Sequence, residues 1–208
     1  VMPTDKLCEI AILAERHNLL VISDEIYNRL TYGITVPSFA SMPGMKKRTI
    51  LLNGVSKCYS MTGWRIGYAT GPQEIIAAMT KIHQYTMLCA SSMGQAAAIE
   101  ALKNGEEDIQ TMVEDYNRRR MVMVSGFNSL GLSCFEPRGA FYAFPSVKST
   151  GLSSDEFAER LLKEEKVAAV PGTAFGEHGE GYLRCCYATS LSQIEEALER
   201  IKRFLGRL

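Results

Sequence analysis

The run Leu19-Leu20-Val21-Ile22, ended by Ser23 and Asp24, restricts the fold of this chain more than any other feature. It carries no polar residue at alternate positions, so it does not read as a strand with one wet face. A continuous apolar run of this length is the pattern of a strand buried on both sides. What precedes it has a different period. Leu7, Ile10, Ala11 and Ala14 recur at helical spacing after Thr4, a residue type that caps helix N-termini, and Asn18 suits a left-handed stop just before the strand. A helix, a stop and a buried strand make an αβ unit. A second apolar strand is predicted over 49–54, after a loop carrying Pro37, Pro43 and Gly44, and residues 65–71 read as a third, closed by Pro72. Strands alternating with helices predict an α/β layer with a mostly parallel sheet.

From residue 73 the text turns helical. Helices are predicted over 73–88, 92–103 and 106–129, the last with Ile109, Met112, Val113, Tyr116, Met123, Val124 and Phe127 on its apolar side and long enough to join two bodies. After Gly131 short strands return, in LSCFEP, AFYAFPSV, VAAVPG and YLRCCYA, with helices over 153–165 and 191–205. This second region reads as a small α+β domain. The boundary is placed near 115–120, inside the long helix, giving domains 1–117 and 118–208.

The chain has 208 residues, enough for one domain or one domain plus a smaller piece. Its 23 basic and 23 acidic side chains balance, with no basic stripe, which points away from nucleic acid and anionic membranes and toward a small, roughly neutral ligand. No apolar run is long enough to span a bilayer, and the opening VMPTDK is not a secretory leader. The six cysteines form no CxxC pair and share no spacing with the three histidines, which argues against a zinc site or a disulfide framework. Reduced thiols in a cytoplasmic protein are the expectation.

Lys57 stands out in NGVSKCYSMTGWRIGYATG, residues 53–71, because it follows the apolar strand 49–54. Most lysines in loops simply reach for water. Here, though, Ser56 precedes it and Arg65 follows at the start of the next predicted strand. A hydroxyl and a guanidinium beside a lysine make a phosphate-binding set, the guanidinium forking onto two oxygens. An ammonium that is partly desolvated near another cation becomes a nucleophilic amine, as a Schiff base requires. The second constellation is SDEIY, residues 23–27. Asp24 sits at the carboxyl end of the first strand, where α/β sheets bind ligands, with Tyr27 three residues on. Alone, the pair reads as a turn cap and a packing ring. Beside a lysine and a phosphate set, a buried carboxylate is suited to keeping a heteroaromatic ring nitrogen protonated, and a phenol to donating to a ring oxygen.

SDEIY, NGVSKCYSMTGWRIGYATGP, GAFYAFP, PGTAFG and GEGYLRCCYATS, taken in order, resemble the fold-type I pyridoxal-phosphate-dependent aminotransferases of class I/II, close to the aspartate and aromatic amino-acid branch. The resemblance implies a large cofactor-binding domain of three layers joined by a long helix to a small α+β domain. It implies pyridoxal 5'-phosphate as cofactor, amino-acid and 2-oxoacid substrates, and a homo-oligomer, a dimer in the family. In its terms Lys57 carries the internal aldimine, Asp24 pairs with the pyridine nitrogen, Tyr27 holds the ring hydroxyl, Ser56 and Arg65 bind the phosphate, and Arg184 clamps the substrate carboxylate.

Two departures accompany the resemblance. A large stretch precedes VMPTDK in the family, so the chain resembles the C-terminal half, without the glycine-rich helix start and the stacking aromatic that complete the cofactor site. The expectations are then weakened cofactor binding and either self-association or dependence on the other half. Gly54 also stands where some branches carry a phosphate-binding serine. Two alternatives stay open: a pyridoxal-phosphate β-lyase, which uses the same lysine and carboxylate, and a non-catalytic remnant that binds cofactor or partner weakly.

Overall fold

The computed structural model describes all 208 residues, which divide into two compact units, Val1–Met112 and Val113–Leu208. The first opens with helix α1, Thr4–Arg16. Its N-cap is Pro3, whose extended backbone (φ −64°, ψ 151°) ends the chain's approach, so Thr4 lies inside the helix and makes no side-chain cap. The predicted stop is present: Asn18 is left-handed at φ 48°, Leu19 N–H donates to Ala14 O at 2.8 Å and Asn18 N–H to Glu15 O at 3.1 Å. That pair of bonds is a Schellman closure, which satisfies two carbonyls the helix would leave unpaired.

Strand β1, Val21–Asp24, pairs in parallel with β2, Thr49–Gly54, with Asp24 opposite Leu52. The predicted burial of the 19–23 run on both faces does not hold. Leu19, Leu20 and Ile22 are exposed, Ile22 by 69%, and Asp24 is exposed with them. The reason is that only one face of the sheet is packed at β1. One face is covered where Val21 packs with Leu7, Ala11 and Ala14 of α1 and with Phe39, Met42 and Met45 of the following loop. No element of this chain covers Ile22.

Strand β3, Gly67–Thr70, is shorter than predicted and antiparallel to β2, so the sheet is mixed rather than mostly parallel. Residues 55–66 form a loop with one short 3-10 turn and no crossover helix, and a parallel return requires such a crossover. Arg65 takes a left-handed conformation (φ 56°, ψ 43°) that keeps it out of the ladder. Gly54 faces Gly67 across this pair. A Cβ at Gly54 would lie 2.8 Å from Ile66 O and 3.0 Å from Gly67 Cα, so the close approach of the two strands is what requires glycine there.

The helices follow the predicted spacing: α2 is Gln73–Thr86, α3 is Ser92–Asn104 with Ser91 capping Gly94 N–H at 3.4 Å, and α4 is Glu106–Ser129. In the second unit β4, Tyr142–Ala143, and β5, Val170–Pro171, flank β6, Leu183–Cys186, in an antiparallel sheet ordered β4-β6-β5. The strands are shorter than predicted, and 132–137 contributes only the bridge Cys134–Pro145. Prolines 137, 145 and 171 have no N–H to give a ladder, and each stands at or near an end of these short pairings. Helix α5, Ser154–Glu165, starts at the cap Ser153, and α6, Leu191–Leu205, at the cap Ser190, both as predicted apart from the first residue of α5. The two pack through Phe157 and Phe204, fully buried and edge-to-face at 5.1 Å. No helix is long and apolar enough to cross a membrane.

Candidate active site

The first unit gathers five of the singled-out residues at one end of its sheet. Asp24 is the last residue of β1, and its Oδ1 accepts from Ile26 N–H at 3.1 Å, an Asx turn that reverses the chain and fixes one carboxylate oxygen. Tyr27, half-buried, lies in the turn that follows, whose backbone is closed by Asn28 N–H to Glu25 O (3.0 Å) and Leu30 N–H to Tyr27 O (2.9 Å). The placement of this turn depends on Glu25, which sequence reasoning passed over. Its Oε1 accepts from Ser23 Oγ, Ser38 Oγ and Phe39 N–H, each at 3.0 Å, tying the loop at 38–39 to the end of β1. Nothing in the spacing reveals this, because two of those partners are 13 and 14 residues away in a loop without periodicity.

Ser56 and Lys57 follow β2 at the same end, since β1 and β2 are parallel. Their loop is anchored on both sides. Val55 is fully buried in a cluster with Ile66 and Ala98, joined by Tyr59 and Met61, and Val55 N–H donates to Ile66 O at 3.3 Å. Cys58 is buried, its thiol 3.7 Å from Gly54 O and pushed up in pKa chiefly by that burial. With neighbours on either side turned inward, Ser56 and Lys57 are held half-buried rather than free to swing into water. Ser60, at φ 53°, and its N–H bond to Lys57 O at 3.3 Å then turn the chain away.

Arg65 stands at the amino end of β3. Because β3 is antiparallel to β2, that end faces the same way as the carboxyl end of β2. Its Nη1 donates to Thr62 O at 3.0 Å, which ties the exposed guanidinium to its own loop. A non-glycine residue in the left-handed region costs on the order of 1–2 kcal/mol, so this conformation persists only because the surrounding loop imposes it. Gly94 of α3 lets the helix come close to this segment: a Cβ there would meet the Ile66 side chain at 2.9 Å and Trp64 O at 3.1 Å. Around the site, burial also raises the phenols of Tyr59 and Tyr68. Arg29, in the turn after Tyr27, forms an ion pair with Glu106 at the start of α4; the bond holds the Glu106 carboxyl below its usual range and raises Arg29.

A cavity of about 210 Å³ is lined by Ser23, Asp24, Tyr27, Asn28 and Phe39, with Leu7 from α1, and does not include Ser56, Lys57 or Arg65 in its lining. Asp24 and Tyr27 thus share one recess, and the lysine–serine–arginine set lies outside it. Arg184 belongs to the second unit, on β6 opposite Val170 of β5, with its guanidinium carbon 4.6 Å from the ring centre of Tyr142 and 4.4 Å from that of Phe175. Cys185 points to the other side of β6, and burial pushes its thiol up to about 12.

The donor set fits pyridoxal phosphate. An amine suits the aldehyde, a hydroxyl and a guanidinium suit the phosphate dianion, a carboxylate suits the ring nitrogen and a phenol the ring oxygen. Gly54 contributes no side chain and, given its contact with β3, has no space for one.

The family model for aminotransferase class I and II matches residues 1–201. An aromatic-amino-acid aminotransferase of Thermococcus litoralis is 42% identical over 208 residues, covering 99% of this chain and 54% of that protein. An aspartate aminotransferase of Pyrococcus abyssi is 44% identical over 208 residues, with the same two coverages. Among solved structures, the aromatic aminotransferase of Pyrococcus horikoshii superposes with a TM-score of 0.96 at 44% identity, covering 100% of this chain and 56% of its own. The chain therefore spans about half the length of the curated relatives it matches, and it belongs to the class I and II aminotransferases.

Proposed function

We propose that this chain contributes the lysine-bearing part of a pyridoxal-phosphate site that moves an amino group between an amino acid and a 2-oxoacid. The observation that carries the reading is the half-buried Lys57, fixed between inward-turned Val55 and Cys58, with Ser56 beside it, Arg65 at the matching end of β3, and Asp24 at the end of the neighbouring parallel strand. Pyridoxal phosphate, when bound, supplies an aldehyde that condenses with amines and a ring that withdraws electrons.

Lys57 Nζ is the amine placed for that aldehyde. With the cofactor bound, Lys57 would also be the base that takes the substrate's Cα proton and gives it up again, because its loop keeps it at the site. Asp24 would pair with the ring nitrogen and keep it protonated, while its Oδ1 accepts from Ile26 N–H and steadies the carboxylate. Tyr27 donates to the ring oxygen. Ser56 Oγ and the guanidinium of Arg65 would bind the phosphate, and Arg184 is the residue we assign to the substrate carboxylate, whose two oxygens a guanidinium can hold at once. The relatives named above carry aspartate and aromatic amino acids in their names, and these are the substrate classes the proposal starts from.

The test is a cofactor titration followed by visible absorbance. The unmodified chain should develop a band shifted from that of free pyridoxal phosphate, and Lys57→Ala should abolish it. Equal bands in both proteins would exclude Lys57 as the attachment point.

A further inference from the structure

Residues two apart on a strand share a face, and diagonal neighbours across an antiparallel pair lie within reach of an aromatic and a long side chain. On β6, Cys186 is opposite Tyr142 of β4, so Arg184, two residues earlier, is the diagonal neighbour of Tyr142 on the same face. Phe175 reaches the same guanidinium from the 3-10 turn Gly172–Phe175 that follows β5. Phe175 is in turn braced edge-on by Phe144, with ring centres 5.8 Å apart at 71°. Half of the Phe175 surface is exposed, so its ring serves the core little, and it packs against the guanidinium and the Phe144 ring.

The electrostatics of this contact differ from those of four other arginines in the unit. Arg120, Arg200, Arg203 and Arg207 each meet a carboxylate. Arg184 meets two rings, both within 4.6 Å, and no carboxylate of the chain pairs with it. Aromatic faces attract the cation without using its N–H groups as a carboxylate would. The outcome is a half-buried guanidinium restrained in orientation whose in-plane donors stay available for an incoming anion.

We propose that Tyr142 and Phe175 are positioning residues for Arg184: their rings fix the guanidinium before a carboxylate arrives and thereby set carboxylate affinity without touching the ligand. This rests on the reading of Arg184 as the carboxylate-binding residue. An unrestrained arginine loses rotamer freedom when it binds a carboxylate at two points; the rings make that loss precede binding.

The experiment is a titration of the 208-residue chain with propionate, a carboxylate without an amine, followed by the Nε–H signal of Arg184 in arginine-labelled protein, with Arg184→Lys identifying the signal. Phe175→Leu and Tyr142→Leu, which keep apolar bulk and remove the ring, should each weaken propionate binding about three- to tenfold and loosen the ligand-free Arg184 side chain. Phe175→Tyr, which keeps a ring, should retain both properties. The melting temperature of Phe175→Leu should stay unchanged because that ring is half in water, and weakened binding that tracks a fall in melting temperature would overturn the proposal in favour of a structural role. Affinities within about twofold of the original in both leucine variants, with binding lost in Arg184→Lys, would overturn the positioning role and leave Arg184 as the carboxylate site. Unchanged affinity in Arg184→Lys would instead remove the reading on which the proposal rests.

Discussion

Helices α2 and α6 were both read from the same apolar spacing, yet the chain treats them differently. Helix α6 buries Ile194, Ile201 and Phe204 against its own unit. Helix α2 has no buried residue at all, and Ile82 and Tyr85 on it are 66% and 85% exposed. Amphipathic spacing therefore reports that a helix has a face to bury, and says nothing about whether the partner surface lies in the same chain. The contrast extends to the strands. The apolar run around β1 keeps Leu19, Leu20 and Ile22 in water, whereas Leu183 of β6 is buried. The second unit closes over its own core, while the first carries apolar surface on which this chain places nothing.

Substitutions should sharpen that contrast. Phe204→Ala removes a fully buried ring that packs edge-to-face on Phe157, and should cost about 3–5 kcal/mol in urea unfolding of the second unit. A cost near zero would show that α6 is not held as described. Ser153→Ala deletes the cap that accepts Glu156 N–H at 3.2 Å and should cost about 1 kcal/mol. Ile82→Ser and Tyr85→Ser in α2 should change stability by no more than about 0.5 kcal/mol in this chain, since neither side chain leaves a packed environment. A large loss at either position would mean that the first unit covers this helix in solution.

The acid limb offers a further test on the second unit. Glu165 of α5 is buried and joined to Arg207 at 2.6 Å and Arg203 at 2.9 Å, and these bonds, Arg207 first, hold its carboxyl below the usual range. A depressed carboxyl contributes stability that is fully present above its unfolded value, about 4.3 for glutamate, and is lost as pH falls through the folded value. Unfolding measured from neutral to acid pH should therefore show Glu165→Gln destabilised at neutral pH and converging on the unmodified protein in acid. A constant gap across that range would contradict the assignment.

Chemistry gives a contrast of its own. Asp24→Ala should leave pyridoxal phosphate bound while removing most of the rate in a complete enzyme, because a proton held on the ring stabilises the transition state more than the ground state. Turnover equal to the original would refute the role proposed for Asp24.

Much of this was legible in the sequence where one local rule acted alone. The strand 49–54 and the helices read over 153–165 and 191–205 follow from an apolar run and helical spacing. Errors arose where a second element decided the outcome. Pro3 took the cap position assigned to Thr4. The direction of β3 was set by a loop without a helix, and the exposure of Ile22 by an uncovered sheet face that an apolar run does not report. At the site, the residues proposed to carry chemistry were visible as types, but their supports were not. Glu25 is bonded by Ser38 and Phe39, and the Arg184 guanidinium lies against Tyr142 and Phe175, all of them contacts across loops or strands rather than at a fixed spacing.

The central claim is that the half-buried Lys57, rather than any of the surface lysines, is the amine of this chain that takes up pyridoxal phosphate. Borohydride reduction of the protein mixed with the cofactor, followed by mass analysis of its peptides, tests this directly. The account predicts one modified peptide, carrying the cofactor on Lys57; label found instead on Lys46, Lys47 or Lys81, or spread evenly over the lysines, would contradict it.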